Sequence, residues 1–371
     1  MKDRINILFV HRTLGMLRGG GELFIVQLSE ELKKINVNID FLVGRPILRS
    51  VKYKYTNLNV TYLRSPYLWR LAQIHLSRYL DPLDRYFFER RILFYLRKNK
   101  KQLDSYDLVI VHINPRLAYF IKREFKKKVL FRNPGRTNDF ILHYARMLDG
   151  AITAGDGANY LQGVKKVYKI SPGVNTNIFK RVKNKVRAKY NISKEDFLMI
   201  YVGRLNLLKN VPFLIESFSY FNKKIKNTKL MLVGEGEFYK IYRRKLSNNK
   251  NIILVGDVSQ ERLAEYYSAA DVFVLMSKHD CEPNALYEAK ACGLPVIAAN
   301  VGGIPHILKN RKGGFLINHS LQEFTNAAIK LYKDKKLRIK MGNYNLKESK
   351  CRTWEHVALE FRDMLEEVNK K

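Results

Sequence analysis

Acidic residues are scarce in this 371-residue chain: 34 Asp plus Glu stand against 68 Lys plus Arg, a formal net charge of +34. That imbalance exceeds what solubility requires and implies an anionic partner; nucleic acid, acidic lipid and phosphorylated substrates all qualify. Cysteine is nearly absent. Cys281, Cys292 and Cys351 are odd in number and show neither close pairing nor metal-type spacing, which argues against a disulfide framework and a zinc site and fits a reducing compartment. Long hydrophobic runs are missing too. The first, Ile7 to Val10, stops at His11 and Arg12, and DLVIVHI and DVFVLM are only strand length, so neither a signal peptide nor a membrane span is expected. Internal repeats, low-complexity tracts, recognised nucleic-acid motifs and an Asp-x-Asp metal motif are also absent from the sequence.

What is present is length and alternation. A chain of this size outgrows a single core, which seldom extends past roughly 250 to 300 residues. Short β-branched runs alternate with amphipathic segments, the pattern of parallel sheets covered by helices on both faces, so the class is α/β. Strands are expected at 5–10, 38–43, 59–63, 107–112, 128–132 and 150–154, then at 198–203, 229–234, 251–256, 271–276 and 295–299. Pro172 and Gly173 open a polar, charged run between the two series. The expected domains are 1–173 and 174–354, each doubly wound and Rossmann-like, facing each other across a cleft. Open sheets of this kind bind ligands beyond the carboxyl ends of their strands.

Three segments carry candidate chemistry. Gly19, Gly20 and Gly21 precede a helix whose apolar stripe includes Phe24, Val26, Leu28 and Leu32. Glycines there let backbone N–H groups approach a phosphate at the favourable end of the helix dipole; a tight turn uses them equally well, and the spacing is not G-x-G-x-x-G, so a nicotinamide cofactor is unsupported. Arg204 follows a strand and Lys209 comes five residues later, where both cations can meet one anion and stabilise a leaving diphosphate, although a lone Arg in such a loop also suits a surface salt bridge. Asp280 precedes a helix beginning near Pro283 and Glu288 lies in its second turn, so both carboxylates are expected near one face of the helix start, accepting from hydroxyls of one ligand. A capped, solvated helix terminus would use Asp280 in the same way.

Taken in order, these pieces resemble the family 4 glycosyltransferases over nearly the whole chain. The matching segments are the Gly-Gly-x-Glu loop at Gly19, Gly20 and Glu22, then ISPGVNTNIF, GRLNLLKN, LVGEGE, NIILVGDVS leading into ERLAEYYSAADVFVLMS, EAKACGLPVIAANVGGIP, and CRTWEHVALEF. The resemblance implies the GT-B fold, with the N-terminal domain receiving the acceptor, the C-terminal domain binding a nucleotide sugar, and the helix at 355–371 packing back on the first domain. It also implies hexose transfer from a UDP- or GDP-sugar with retention at the anomeric carbon, by front-face departure of the nucleotide and without a protein nucleophile. Arg204 and Lys209 would hold the diphosphate in place of a metal, so neither metal nor cofactor is expected. Gly19 and Gly20 would let the first domain close on the donor. Glu288 would bind the ribose, with Val258, Asn284 and Ala285 completing the donor site. Asp280 stands where the family has its first Glu, and Glu282 beside it could share that role. His112 falls where the family commonly has a His near the reaction centre. After the following strand, where a second His is frequent, the chain reads FRNPGR, offering Arg132, Asn133 and Arg136.

Positive charge gathers in the first half: between Val51 and Leu130 there are 18 Lys plus Arg against 6 Asp plus Glu. SPYLWRLAQIHLSRYL reads as an interfacial helix with Trp69 and Arg70 off its apolar stripe. A second helix from Asn114 and Pro115 would present Lys122, Arg123, Lys126 and Lys127 as a basic patch. Each basic residue near an anionic leaflet contributes roughly 1 kcal/mol. The expected partners are therefore the donor, a lipid-linked or glycan acceptor, and an anionic membrane surface, with no specific nucleic acid. The expected location is cytoplasmic, peripheral on the inner face of the cell membrane. Two other readings stay open, a nucleotide-sugar epimerase or hydrolase of the same fold and a non-catalytic nucleotide-binding member.

Overall fold

The computed structural model describes residues 4–16, 19–46, 55–65, 77–133 and 135–370. The chain divides into two compact units, Met1–Ser171 with Trp354–Lys371, and Pro172–Thr353. Each is a doubly wound, Rossmann-like α/β layer structure built around one parallel sheet.

In the first unit the strands are β1 (Ile5–His11), β2 (Val37–Pro46), β3 (Asn59–Ser65), β4 (Leu108–His112), β5 (Val129–Arg132), β6 (Gly150–Thr153) and β7 (Val167–Lys169). Their order is β3-β2-β1-β4-β5-β6-β7, and every pairing is parallel. The register sets Ile5 against Val37 and Ile7 against Leu108. Central strands such as β4 are buried from end to end, as expected where helices cover both faces. The chain leaves β1 toward β2 on one side and returns to β4 on the other. The carboxyl ends of β1 and β4 therefore form the topological switch point, where such sheets bind ligands.

Helix Gly20–Lys34 packs its stripe of Phe24, Leu28 and Leu32 into the sheet, in one core with Trp354, Val357, Phe361 and Leu365 of helix Trp354–Asn369. The rings of Phe24 and Trp354 meet edge to face, with centroids 5.6 Å apart. The sequentially remote C-terminal helix is thereby part of the first unit's core.

The second unit contains β8 (Phe197–Val202), β9 (Thr228–Val233), β10 (Ile252–Gly256), β11 (Val272–Leu275), β12 (Val296–Ala299) and β13 (Gly314–Ile317), in the order β10-β9-β8-β11-β12-β13. These pairings are parallel as well, and the switch point falls between β8 and β11. Eleven of the thirteen strands lie where apolar periodicity puts them, within a few residues. The two it misses are β7, with the polar sequence VYK, and β13, four residues beginning at a glycine. Among the described residues no helix is long and apolar enough to cross a membrane.

Candidate functional site

In the second unit, β8 ends at Val202 and the chain turns through Gly203 into an exposed loop that carries Arg204 and Lys209. The loop is built rather than loose. Leu205 N–H donates to Glu235 O at 2.9 Å and Leu205 O accepts from Phe238 N–H at 3.0 Å, so the LVGEGE segment braces it. Gly236, at φ +156°, allows this approach, since a Cβ there would lie 2.7 Å from Leu205 N. Asn206 Oδ1 accepts from Lys209 N–H at 3.0 Å, fixing the backbone under the lysine.

Beyond β11, Asp280 forms an ion pair with the Lys209 ammonium and accepts from Ser277 Oγ at 3.2 Å. Its backbone carbonyl accepts from Gly303 N–H at 2.9 Å. Gly302, at φ +56°, lies directly against that carbonyl, and a Cβ there would approach it to 2.2 Å. The Gly-Gly pair after β12 thus positions the acid. The two loops of the switch point meet through opposite charges, Lys209 from the β8 side and Asp280 from the β11 side.

Helix Asn284–Ala291 follows, with Pro283 at its N-cap and no side chain capping its first turn among the described residues. Glu288 is 8% exposed and accepts from the Tyr267 hydroxyl at 2.8 Å. Burial pushes its carboxyl up to about 7, against the pull of that hydrogen bond. Tyr267 is driven well above the usual phenol range by burial and by Glu288. Its hydroxyl also reaches Ala285 O at 3.4 Å. Tyr201 is buried between these groups, donates to Arg204 O at 2.7 Å, and is raised by burial and by Asp280.

The eight-residue spacing does not make Asp280 and Glu288 a matched exposed pair. Asp280 sits in the loop before the helix, held by Lys209, while Glu288 is turned inward to Tyr267. Asn284 and Ala285 occupy the helix start, Glu282 accepts from the Tyr287 hydroxyl at 3.4 Å, and Val258 packs against the core of the unit. Tyr201 and Tyr267 escaped the sequence reading, because both lie inside segments whose period marks them simply as core.

In the first unit, Gly19 is the N-cap of helix Gly20–Lys34 and Gly20 its first residue. His112, at the end of β4, is 6% exposed and stacks on His11, at the end of β1, with ring centroids 4.3 Å apart and planes at 19°. Arg132, at the end of β5, reaches His112 Nδ1 at 3.2 Å and lies over the Phe24 ring at 4.1 Å. Burial, then His11 and Arg132, hold His112 well below the ordinary imidazole range. His11 falls to about 3 from burial, then Arg132 and Arg12. Burial lowers Arg132 to about 10, with Glu22 acting in the opposite sense. Ile113, next to His112, has φ 55°, an unusual conformation for a β-branched residue. His11 was read only as the end of an apolar run, since nothing in its neighbours announces a second imidazole.

Trp69 and Arg70 lie outside the described residues. Helix Pro115–Phe125 starts as expected, with Asn114 Oδ1 accepting from Leu117 N–H, but it ends at Phe125, where Lys126 turns left-handed. Lys122 is paired with Asp149 at 2.8 Å and Lys127 donates to Asp104 O at 3.1 Å. The four residues therefore do not form one helical patch; Lys122 and Lys127 are tied to their own unit. A different face is both basic and apolar: helix Ser77–Lys98 exposes Leu83, Tyr86, Phe87 and Phe94 beside Arg90 and Arg91.

Residues 182–348 match the model of the family described as glycosyl transferases group 1. A Thermosipho melanesiensis protein named "Probable sucrose-phosphate synthase" is 34% identical over 214 residues, covering 55% of this chain and 48% of that protein. An Escherichia coli "UDP-Gal:alpha-D-GlcNAc-diphosphoundecaprenol alpha-1,3-galactosyltransferase" is 31% identical over 188 residues, covering 48% of each. The chain thus spans about half the length of these curated relatives. Among solved structures, Anabaena HepE in complex with UDP-glucose superposes with a TM-score of 0.76 at 15% identity, over 98% of this chain and 100% of that one, a likeness of fold.

Proposed function

We propose, from the premise that residues 182–348 are a group 1 glycosyl transferase domain, that the protein transfers a hexose from a UDP- or GDP-sugar to an acceptor, with retention and without a metal ion. The observation that carries the reading is the Lys209–Asp280 pair at the switch point of the second sheet, in the loop that leads into the uncapped start of the helix bearing Glu288. A diphosphate entering there meets the free end of a helix dipole and two cations, Arg204 and Lys209. Lys209 exchanges its carboxylate partner for phosphate oxygens, and Asp280, released, accepts from hydroxyls of the sugar. Glu288 receives the ribose hydroxyls.

Charge develops on the leaving diphosphate as the glycosidic bond breaks. Fixed cations stabilise it where it appears, which gives rate by electrostatics and positioning. The acceptor hydroxyl attacks from the face the nucleotide leaves, and its proton passes to a phosphate oxygen. His112, neutral and held by Arg132, positions a substrate oxygen by donation and takes no proton.

A lipid-linked acceptor at an anionic membrane is supported by the exposed aromatic and basic face of helix Ser77–Lys98, by the net charge of +34, and by the diphosphoundecaprenol acceptor in the E. coli relative's name. A UDP donor is favoured by the ligand of the HepE structure.

The test is a calorimetric titration with UDP, GDP and ADP, each with and without EDTA. Selective binding of one diphosphate that survives chelation is expected. Failure of all three to bind would overturn the reading, binding without turnover of any donor would make the protein a non-catalytic nucleotide-binding member, and turnover of the donor without an acceptor would make it an epimerase or hydrolase.

A further inference from the structure

The switch point of the first sheet holds a partly open cavity of about 60 Å³ lined by His11, Arg12, Thr13, Arg85, His112, Ile113 and Asn114. A single water needs roughly 10–15 Å³, so about four to six waters, or one compact group of similar size, fit. The polar atoms around it have a definite sense. Thr13 N–H donates to His11 Nδ1 at 3.2 Å, which leaves the proton of that ring on Nε2. His11 Nε2 is buried, with no partner among the described residues.

Arg132 can only donate, so its 3.2 Å contact with His112 Nδ1 makes that nitrogen an acceptor and puts the proton of this ring on Nε2 as well. His112 Nε2 would lie 3.7 Å from a Cβ on Gly21, whose bare backbone leaves room above it. Asn114 spends its Oδ1 on Leu117 N–H, and its Nδ2 is buried without a partner among the described residues.

Three residues lining this cavity thus each carry an N–H group without an acceptor among the described residues: His11 Nε2, His112 Nε2 and Asn114 Nδ2. A buried donor left unmade costs about 1–3 kcal/mol, which a bound acceptor recovers. The charged groups that shift the two rings are Arg132 and Arg12, both cations. Glu22 acts on Arg132 and accepts from the Thr13 hydroxyl at 3.3 Å, Asp81 and Asp84 pair with Arg12, and Asp81 also holds Arg85, so each of these carboxylates already has a partner.

We infer that this pocket is an oxyanion subsite, made to take a phosphate or carboxylate group against the Nε2–H of His11 and of His112 and the amide of Asn114. The pocket itself is argued from its own atoms. Only the further step, that the oxyanion belongs to the acceptor, rests on the glycosyl-transfer reading.

The test uses the full chain with ¹⁵N-labelled histidine and follows the ring nitrogens by long-range ¹H–¹⁵N correlation. Without ligand, both rings should show the neutral Nε2–H pattern. Inorganic phosphate in one arm and acetate in the other distinguish the two oxyanions, and a saturable shift of both rings in either arm supports the subsite. His11→Phe keeps the stacked ring and removes the donor, and should weaken the responding anion by about tenfold, the lower end for a hydrogen bond to a charged group. His112 is followed as the reporter in that variant. Arg132→Lys keeps a charged donor beside His112 Nδ1 and should retain part of the response.

No saturable shift with either anion, or equal affinity in parent and His11→Phe, would overturn the subsite. Its failure is separable from failure of the proposed activity. An active transferase with silent rings removes the subsite alone, and responsive rings in a protein that binds no nucleoside diphosphate remove the activity alone.

Discussion

Replacing Glu288 with Gln should make the protein more stable while weakening its hold on nucleotide. The Glu288 side chain is only 8% exposed, and that burial is the main cause of a carboxyl pKa raised from 4.5 to about 7. A raised carboxyl pKa means that the native state favours the neutral acid. The unfolded chain ionises near pH 4.5 and the native site only near 7, so the neutral form's contribution to stability is present below 4.5 and is lost as pH rises through 7. Each pKa unit is worth 1.36 kcal/mol, so the full cost above pH 7 is on the order of 3 kcal/mol. It is already roughly 1 kcal/mol at pH 5. Glutamine is neutral at every pH and its carbonyl can still accept from the Tyr267 hydroxyl, so the variant removes the cost and keeps the hydrogen bond. The difference in stability between Glu288→Gln and parent should grow by about 2.5 kcal/mol from pH 5 to pH 8.5. For a domain of this size that corresponds to roughly 5–10 °C in melting temperature. Parallel thermal and urea unfolding at the two pH values measures it, with calorimetry on the nucleoside diphosphate alongside. A gap that does not widen with pH would refute the buried, ionisable site, and unchanged nucleotide affinity would reject the ribose role.

Lys209→Ala should lower turnover by about 10²- to 10³-fold with the circular dichroism spectrum unchanged, because the lysine is a loop cation and not part of the core; undiminished turnover would refute its diphosphate role. Binding to anionic vesicles should exceed binding to neutral ones, fall with salt, and drop by about tenfold when Phe87 and Phe94 are both changed to Ser, measured by co-sedimentation; equal binding to both vesicle types argues against the membrane reading. Ile113→Gly should stabilise the first unit by about 1 kcal/mol, since glycine adopts φ 55° without the steric cost isoleucine carries there; a loss of stability on urea unfolding would show that the Ile113 side chain compensates for its backbone.

Most of the strands were legible because they are buried on both faces and so read as unbroken β-branched runs, as in LVIVH and FLMIYV. β7 and β13 were not, since a three-residue polar edge strand and a four-residue strand that begins at the second of two glycines carry too little apolar signal. The loops of the candidate site were legible through glycines and charges at fixed spacing: Arg204 and Lys209, Asp280 and Glu288, and the Gly302–Gly303 pair that holds Asp280. Their partners were not. Tyr267 lies 21 residues from Glu288, and Tyr201 three from Arg204, but each occupies a position that periodicity assigns to the core. What turns a core tyrosine into part of a site is the acid or carbonyl it faces, and that pairing is tertiary. The ties of Lys122 and Lys127 were illegible for the same reason. Charge along a sequence does not reveal which lysines are already tied to Asp149 or to a backbone carbonyl.

The two sheets apply one topological rule to different chemistry. Each opens a crevice where its strand order reverses, and each places there the side chains its sequence supplies at two strand ends. In the second sheet those are Lys209 and Asp280, opposite charges that satisfy one another and can separate around a ligand bearing both anionic and hydroxyl groups. In the first they are two stacked imidazoles, kept neutral by burial and by neighbouring cations, which cannot neutralise one another and are left with N–H groups to donate. Retaining Asp280 beside Lys209 costs little, since the pair is partly exposed and the charges compensate. Retaining His11 and Arg132 in the interior costs more, because burial disfavours both the unpaired donor and the cation. A fold that held these groups for stability alone would do better with apolar residues, so the subsite proposed for the first crevice, like the ribose site proposed at Glu288 in the second unit, is held at a cost in stability.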